Sequence, residues 1–171
     1  MQPFDLGSAT WTFGTNCTGV GIQITETQAN SVTEEILMID FSDYRSITTI
    51  KNLDFGSFTP GNGSITVNPN GNYIATNIVY HDGGVQPAEF EVGGFENTSF
   101  VISLPTSVIV SYNDLDTMTV NNFTTNLTNN EGVIGNGNYT KNFFVGADLI
   151  VSSDQLSGQY TGYFVVTADF Y

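Results

Sequence analysis

Positive charge is scarce in this chain: Arg45, Lys51 and Lys141 stand against 17 acidic residues, a formal charge of -14 at pH 7. A field of that sign repels phosphate backbones and anionic lipid, so neither nucleic acid nor a membrane surface is an expected partner. Cysteine is nearly absent too. Cys17 stands alone, which excludes an internal disulfide and leaves stability to packing. Its neighbours Thr15, Asn16, Thr18 and Gly19 supply no cation to lower a thiol pKa, so it reads as a small buried or incidental residue. His81 is the only histidine, and with one cysteine beside it the donors of a zinc site are missing. No apolar run reaches the roughly 18 to 20 residues of a membrane-spanning helix, so membrane insertion is not expected. The opening residues, MQPFDLGSATW, lack the basic and apolar regions of a signal peptide, which leaves a leader already removed or none.

What the chain does have is apolar substance without charge. Hydrophobic residues make up 40%, aromatics 13% and charged residues only 12%. There is ample apolar area to offset chain entropy, so disorder is a poor reading of the whole. The polar surface has to be built from Thr, Ser, Asn and Gly, which favour turns and strands over helix interiors. A length of 171 residues fits one domain, or one domain with an arm.

Periodicity agrees with a β fold. Val20, Ile22 and Ile24 alternate with polar residues in VGIQITE, as a half-buried strand requires. Ile65 and Val67 lead into Asn68-Pro69-Asn70-Gly71, where Asn70-Gly71 suits the positive φ of a hairpin, and the chain returns through Tyr73 to Tyr80. Phe90 and Val92, then Phe100, Ile102 and Leu104, then Val108 and Val110 alternate again, with Gly93-Gly94 and Leu104-Pro105 as breaks. Residues 121–142 are dense in Asn and Gly and read as a long loop or irregular edge. Residues 143–151 and 160–170 read as long apolar strands, the second with Phe164, Val166, Ala168 and Phe170 on one face and Tyr163, Val165 and Tyr171 on the other, so that both faces are expected to be covered. Only residues 32–40 have a helical alternative, and their Ile-Leu-Met-Ile run suits a buried strand equally well. The expected architecture is an all-β antiparallel sandwich.

Catalytic patterns are weak. His81 sits in Tyr-His-Asp-Gly-Gly, where a loop residue is the ordinary reading, and no G-x-S-x-G elbow offers it a nucleophile. A glycosidase needs two carboxylates at fixed separation, but with 17 acidic residues some pair always looks suitable. Calcium is the better ion candidate, because Asn113, Asp114 and Asp116 cluster in a turn, although no D-x-[DN]-x-[DN]-G loop is present and a solvated acidic turn explains them more simply. No cofactor is expected. GNGS and GNGN lack the Lys-Ser/Thr of a phosphate loop and read as turns. Six N-x-[ST] sequons, at Asn16, Asn62, Asn97, Asn122, Asn126 and Asn138, are what an Asn- and Thr-rich chain produces by chance. Exposed aromatics can stack on sugars, and Trp11 is the one to watch for surface glycans.

From Ile47 to Tyr171 the sequence resembles a family of bacterial secreted domains with a pilin-like, immunoglobulin-type sandwich. The resemblance rests on LDFGSFTPG (53–61), GSITVNPNG (63–71), PAEFEVGG (87–94), FVISLP (100–105), MTVNNF (118–123), FFVGADLIV and the terminal GQYTGYFVVTADFY. It covers about three quarters of the chain, implies no catalytic residues, and implies placement in fimbriae or surface adhesins. The last strand is also similar to the C-terminal strand of pilins whose incomplete sandwich is finished by a strand from the next subunit. Residues 1–46 are then an arm or extra strands outside the domain at 47–171. They are a candidate donor through Ala9, Trp11 and Phe13 or through Val20, Ile22 and Ile24, and could equally complete their own sandwich. Phe164, Val166 and Phe170 of the terminal strand are the other candidate assembly residues.

Three functions are therefore expected in order. The first is a non-enzymatic structural or adhesive subunit of a bacterial surface filament, extracellular, assembling with copies of itself or with other appendage subunits. The second is a structural part of a phage virion, a capsid vertex or spike, which an initial methionine without a leader favours. The third is a glycan-binding surface module.

Overall fold

A computed structural model describes residues 20–28, 31–39, 45–113 and 115–171 of the chain; Ala9, Trp11 and Phe13 lie outside them. The chain divides into two units, residues 1–43 and 44–171.

The first unit contains β1 (Val20–Gln28) and β2 (Ser31–Ile39), antiparallel along their whole length from Val20 opposite Ile39 to Gln28 opposite Ser31. The segment with a helical alternative is thus a strand. Nine residues are too few for a stable helix on their own, whereas a paired strand satisfies every second backbone group at once. Val20, Ile22 and Ile24 lie on β1, opposite Ile39, Leu37 and Glu35.

The second unit is an antiparallel β-sandwich. In chain order its strands are β3 (Ser46–Lys51), β4 (Ser57–Thr59), β5 (Gly63–Val67), β6 (Tyr73–Thr76), β7 (Val79–Asp82), β8 (Ala88–Gly93), β9 (Ser99–Ser103), β10 (Ser107–Tyr112), β11 (Asp116–Thr125), β12 (Glu131–Val133), β13 (Thr140–Val151) and β14 (Thr167–Phe170). The larger sheet runs β10-β11-β13-β5-β6, with β8 also on β13 and β3 outside β8. β12-β9-β14 form the smaller sheet, and β4 pairs with β7.

β13 is the axis of the larger sheet. Its first half, Thr140–Val145, pairs with β8 and its second, Ala147–Val151, with β5. The change of partner falls at Gly146, where a Cβ would collide with the carbonyl oxygen of Val67, so the chain passes there only without a side chain. On the opposite side β11 bulges between Asn121 and Thr124, with Asn122 at φ 52°.

The β5–β6 hairpin forms as expected, but its turn is longer than two residues. The N–H of Gly71 donates to the carbonyl of Asn68 (3.0 Å), Gly71 takes φ 87°, and the Asn70 side chain accepts from the N–H of Asn72 (3.0 Å). The return does not run unbroken to Tyr80. Asn77, at φ 56°, ends β6, and β7 leaves to pair with β4. This places His81 in a strand rather than a loop.

Two further expectations change. Residues 121–142 are not one long loop: β11 continues to Thr125 because Thr124 and Thr125 regain β13 partners beyond the bulge, and β12 joins β9. Nor is 160–170 one strand covered on both faces. Only Thr167–Phe170 pairs with β9, and Tyr163 (95%), Val165 (75%) and Tyr171 (71%) are exposed, since among the described residues no element lies over that side.

The core is in two parts. In one, Phe90, Val92, Phe143 and Val145 of the larger sheet meet Phe100 and Ile102 of the smaller, and Phe164, Val166, Ala168 and Phe170 close over them. Phe90 stacks on Phe143 with centroids 5.4 Å apart and meets Phe164 edge-on at 6.0 Å. In the other, Met118, Val120, Ala147, Leu149 and Val151 line the same larger sheet, and what lies against them comes largely from outside the smaller sheet, including Leu53, Phe55, Phe58 and Tyr160.

Candidate assembly cleft

The half of the larger sheet that the smaller sheet leaves bare opens into a cleft of about 830 Å³. Its floor is apolar and comes from alternate residues of three strands: Val108 and Val110 of β10, Met118 and Val120 of β11, and Leu149 of β13. One wall is Leu53, Phe55 and Phe58; the other is Tyr160 and Phe164. Lys51, Asn52 and Asp54 are among the polar residues at its side.

Both walls are pinned, so the cleft does not collapse on its floor. Asp54 and Gln86 exchange two backbone hydrogen bonds of 3.0 Å, and the Gln86 side chain donates to the Asn52 carbonyl. Gly56, at φ 73°, turns the chain with its N–H donating to the Asp54 carboxylate (2.7 Å), which sets Phe55 and Phe58 against the floor. On the far side Ser111 and Thr161 exchange hydrogen bonds of 2.9 and 3.0 Å. Tyr160 donates to the Leu156 carbonyl (2.9 Å), accepts from Gln155 (2.7 Å) and lies against Tyr112. Gly158 and Gly162 allow this approach, since a Cβ at either would meet the Tyr112 ring at 2.6 Å or the Ile109 carbonyl at 2.7 Å.

Among the described residues the smaller sheet ends in β14, which pairs on one side only, with β9. The N–H of Tyr171 donates to the Ser99 carbonyl, so by antiparallel alternation Thr167, Asp169 and Tyr171 turn their backbone groups to β9. Ala168 and Phe170 turn theirs outward. An unpaired strand edge accepts a further strand through main-chain bonds, and an apolar hollow takes alternate side chains.

Of the candidate assembly residues, Phe164, Val166 and Phe170 come together on the first core part, and Phe164 also lines the cleft. Val20, Ile22 and Ile24 belong to the first unit. The wall residues Phe55, Phe58 and Tyr160 were not singled out from sequence for this role. The glycines around Tyr160 and the Phe55-Gly56 step were the available signals.

On the outer face of the larger sheet, Glu89 of β8 bridges its neighbours. Lys51 of β3 lies 2.6 Å from one carboxylate oxygen, and Asn142 of β13 donates to the other at 3.0 Å. These two partners hold the Glu89 carboxyl below its ordinary 4.5. Asp116 of the acidic turn pairs with Tyr112 at the start of β11, and Asp114 lies outside the described residues. Among the described residues no three His, Cys, Asp or Glu side chains gather as a metal site would require.

Residues 46–170 match the model of a family described as a domain of unknown function, DUF4402. The chain belongs to this family. Its DUF4402 domain is nearly coextensive with the second unit, residues 44–171, so the cleft and both walls lie inside the family domain, while β1 and β2 precede it. No curated protein and no solved structure matches the chain.

Proposed function

We propose that this protein is a non-enzymatic structural or adhesive subunit of a bacterial surface filament, and that its DUF4402 domain assembles by accepting a strand from a neighbouring chain along β14. The supporting observation is the half-covered larger sheet with its pinned apolar cleft, in a domain where β14 is an edge strand among the described residues. Burial of apolar surface contributes roughly 25 cal/mol per Å², so a strand seated there gains both hydrophobic contact and the unmet bonds of Ala168 and Phe170. The stretch Ala9, Trp11, Phe13 has the alternation such a strand needs, in residues that precede the domain. The strong negative charge keeps free subunits apart until a specific contact overcomes it.

Electron microscopy with light scattering, on the full chain and on residues 47–171, tests this reading. Filaments or large assemblies from the full chain, with the shorter chain monomeric, are expected. Compact monomers of equal stability from both would overturn it.

A further inference from the structure

Three exposed rings gather at one end of the sandwich. Phe95 (58%) follows β8, Tyr139 (60%) precedes β13 and Tyr171 (71%) follows β14. Pairing brings these strand ends together: Gly93 lies opposite Thr140, and the N–H of Tyr171 donates to the carbonyl of Ser99 at the start of β9. The two loops at this end, residues 94–98 and 134–139, are tied to each other. The N–H of Gly94 donates to the Tyr139 carbonyl (2.9 Å), that of Asn97 to the Ile134 carbonyl (2.7 Å) and that of Ile134 to the Thr98 carbonyl (3.0 Å). The N–H of Gly137, at φ 73°, donates to the Glu96 carboxylate (2.7 Å). Ile134 is fully buried and anchors the second loop in the core, in space that a side chain at Gly94 would occupy. Asn136 and Asn138 stand exposed on that loop, and Glu96 on the first.

We propose that this loop end of the domain is a carbohydrate-binding site whose ligand is a neutral oligosaccharide. The C–H face of a pyranose is apolar and stacks on an aromatic ring, while its hydroxyls donate and accept hydrogen bonds. Phe95, Tyr139 and Tyr171 supply the rings. The carboxamides of Asn136 and Asn138 each carry two donor hydrogens and an acceptor, and Glu96 adds a further acceptor. An apolar patch of a partner protein would instead strip water from these polar groups without replacing its bonds. Acidic sugars are repelled by Glu96 and by the chain's charge of -14. Because the loops are already fixed to each other, little ordering remains to oppose binding. The site shares no residue with the cleft. It rests on the adhesive side of the proposed function, to which it gives a ligand class, and not on strand acceptance.

The full chain on an array of neutral and sialylated oligosaccharides, followed by calorimetric titration with the strongest neutral binder, tests the proposal. Wild type should bind neutral oligosaccharides. Phe95→Ala, Tyr139→Ala and Tyr171→Ala, each checked by thermal melting, should bind about tenfold more weakly or worse. Three separate ring substitutions keep the test decisive if one of them unfolds. Tyr139→Phe, which keeps its ring, and Tyr163→Ala, which removes an exposed ring elsewhere, should bind as wild type does. No neutral oligosaccharide bound, sialylated ones alone bound, or equal binding by all variants would overturn the site. Light scattering on the same samples separates it from the cleft: assembly without glycan binding overturns this site alone, and glycan binding by a chain that stays monomeric overturns strand acceptance alone.

Discussion

A single hydrogen atom in place of a side chain sets the course of the longest strand. Gly146 lies where β13 changes partner, and its missing Cβ makes room for the Val67 carbonyl. Gly146→Ala should cost about 1–3 kcal/mol, the range for forcing extra volume into a packed site, measured by urea unfolding. Glu89 gives a residue-scale prediction of another kind. Its carboxyl titrates below 4.5 in the folded chain because Lys51 and Asn142 hold the ionised form. The stability it adds is complete above the unfolded-state value and is lost as pH falls through the lower folded-state value. The stability gap between wild type and Glu89→Gln should therefore be constant above about pH 5 and close below pH 4.5, followed by denaturant melts across that range. A gap that widened on acidification would contradict the assignment.

At the scale of elements, the terminal segment carries two very different faces. Phe170 packs on Phe100 and lies under Arg45, whereas Tyr163 stands in solvent. Phe170→Ala should destabilise the domain by about 2–4 kcal/mol, and Tyr163→Ser by less than about 0.5 kcal/mol, both read from thermal or chemical unfolding of residues 45–171. The alternation of Phe164, Val166, Ala168 and Phe170 was legible in the sequence because it depends only on the period of an extended chain. Whether an element would cover Tyr163 and Val165 was not, since that depends on partners far away in sequence. The same division holds elsewhere. Turn residues such as Asn70-Gly71 and the break at Leu104-Pro105 announce themselves locally. The exit of β7 at Asn77, the bulge at Asn122 and the choice of strand over helix for Ser31–Ile39 are settled by pairing. The cleft was the least legible feature, because a hollow is made by what fails to cover a sheet, and no residue pattern records an absence.

At the scale of the whole molecule, one larger sheet is served by a smaller sheet that reaches only half of it. Among the described residues fifteen strongly buried hydrophobics form the core, and the part around Met118 and Leu149 borders the cleft. A strand that fills the cleft of the folded domain should raise its melting point, as any ligand that binds only the folded state does. The measurement that tests this most directly is the melting temperature of residues 45–171 with and without a synthetic peptide spanning residues 5–16, using the same peptide with Trp11→Asp and Phe13→Asp as control. A rise of about 5–10 °C at saturating peptide, absent with the control, is the predicted result. No rise with the native peptide, at concentrations where the full chain assembles, would contradict the account of the cleft as the seat of this strand.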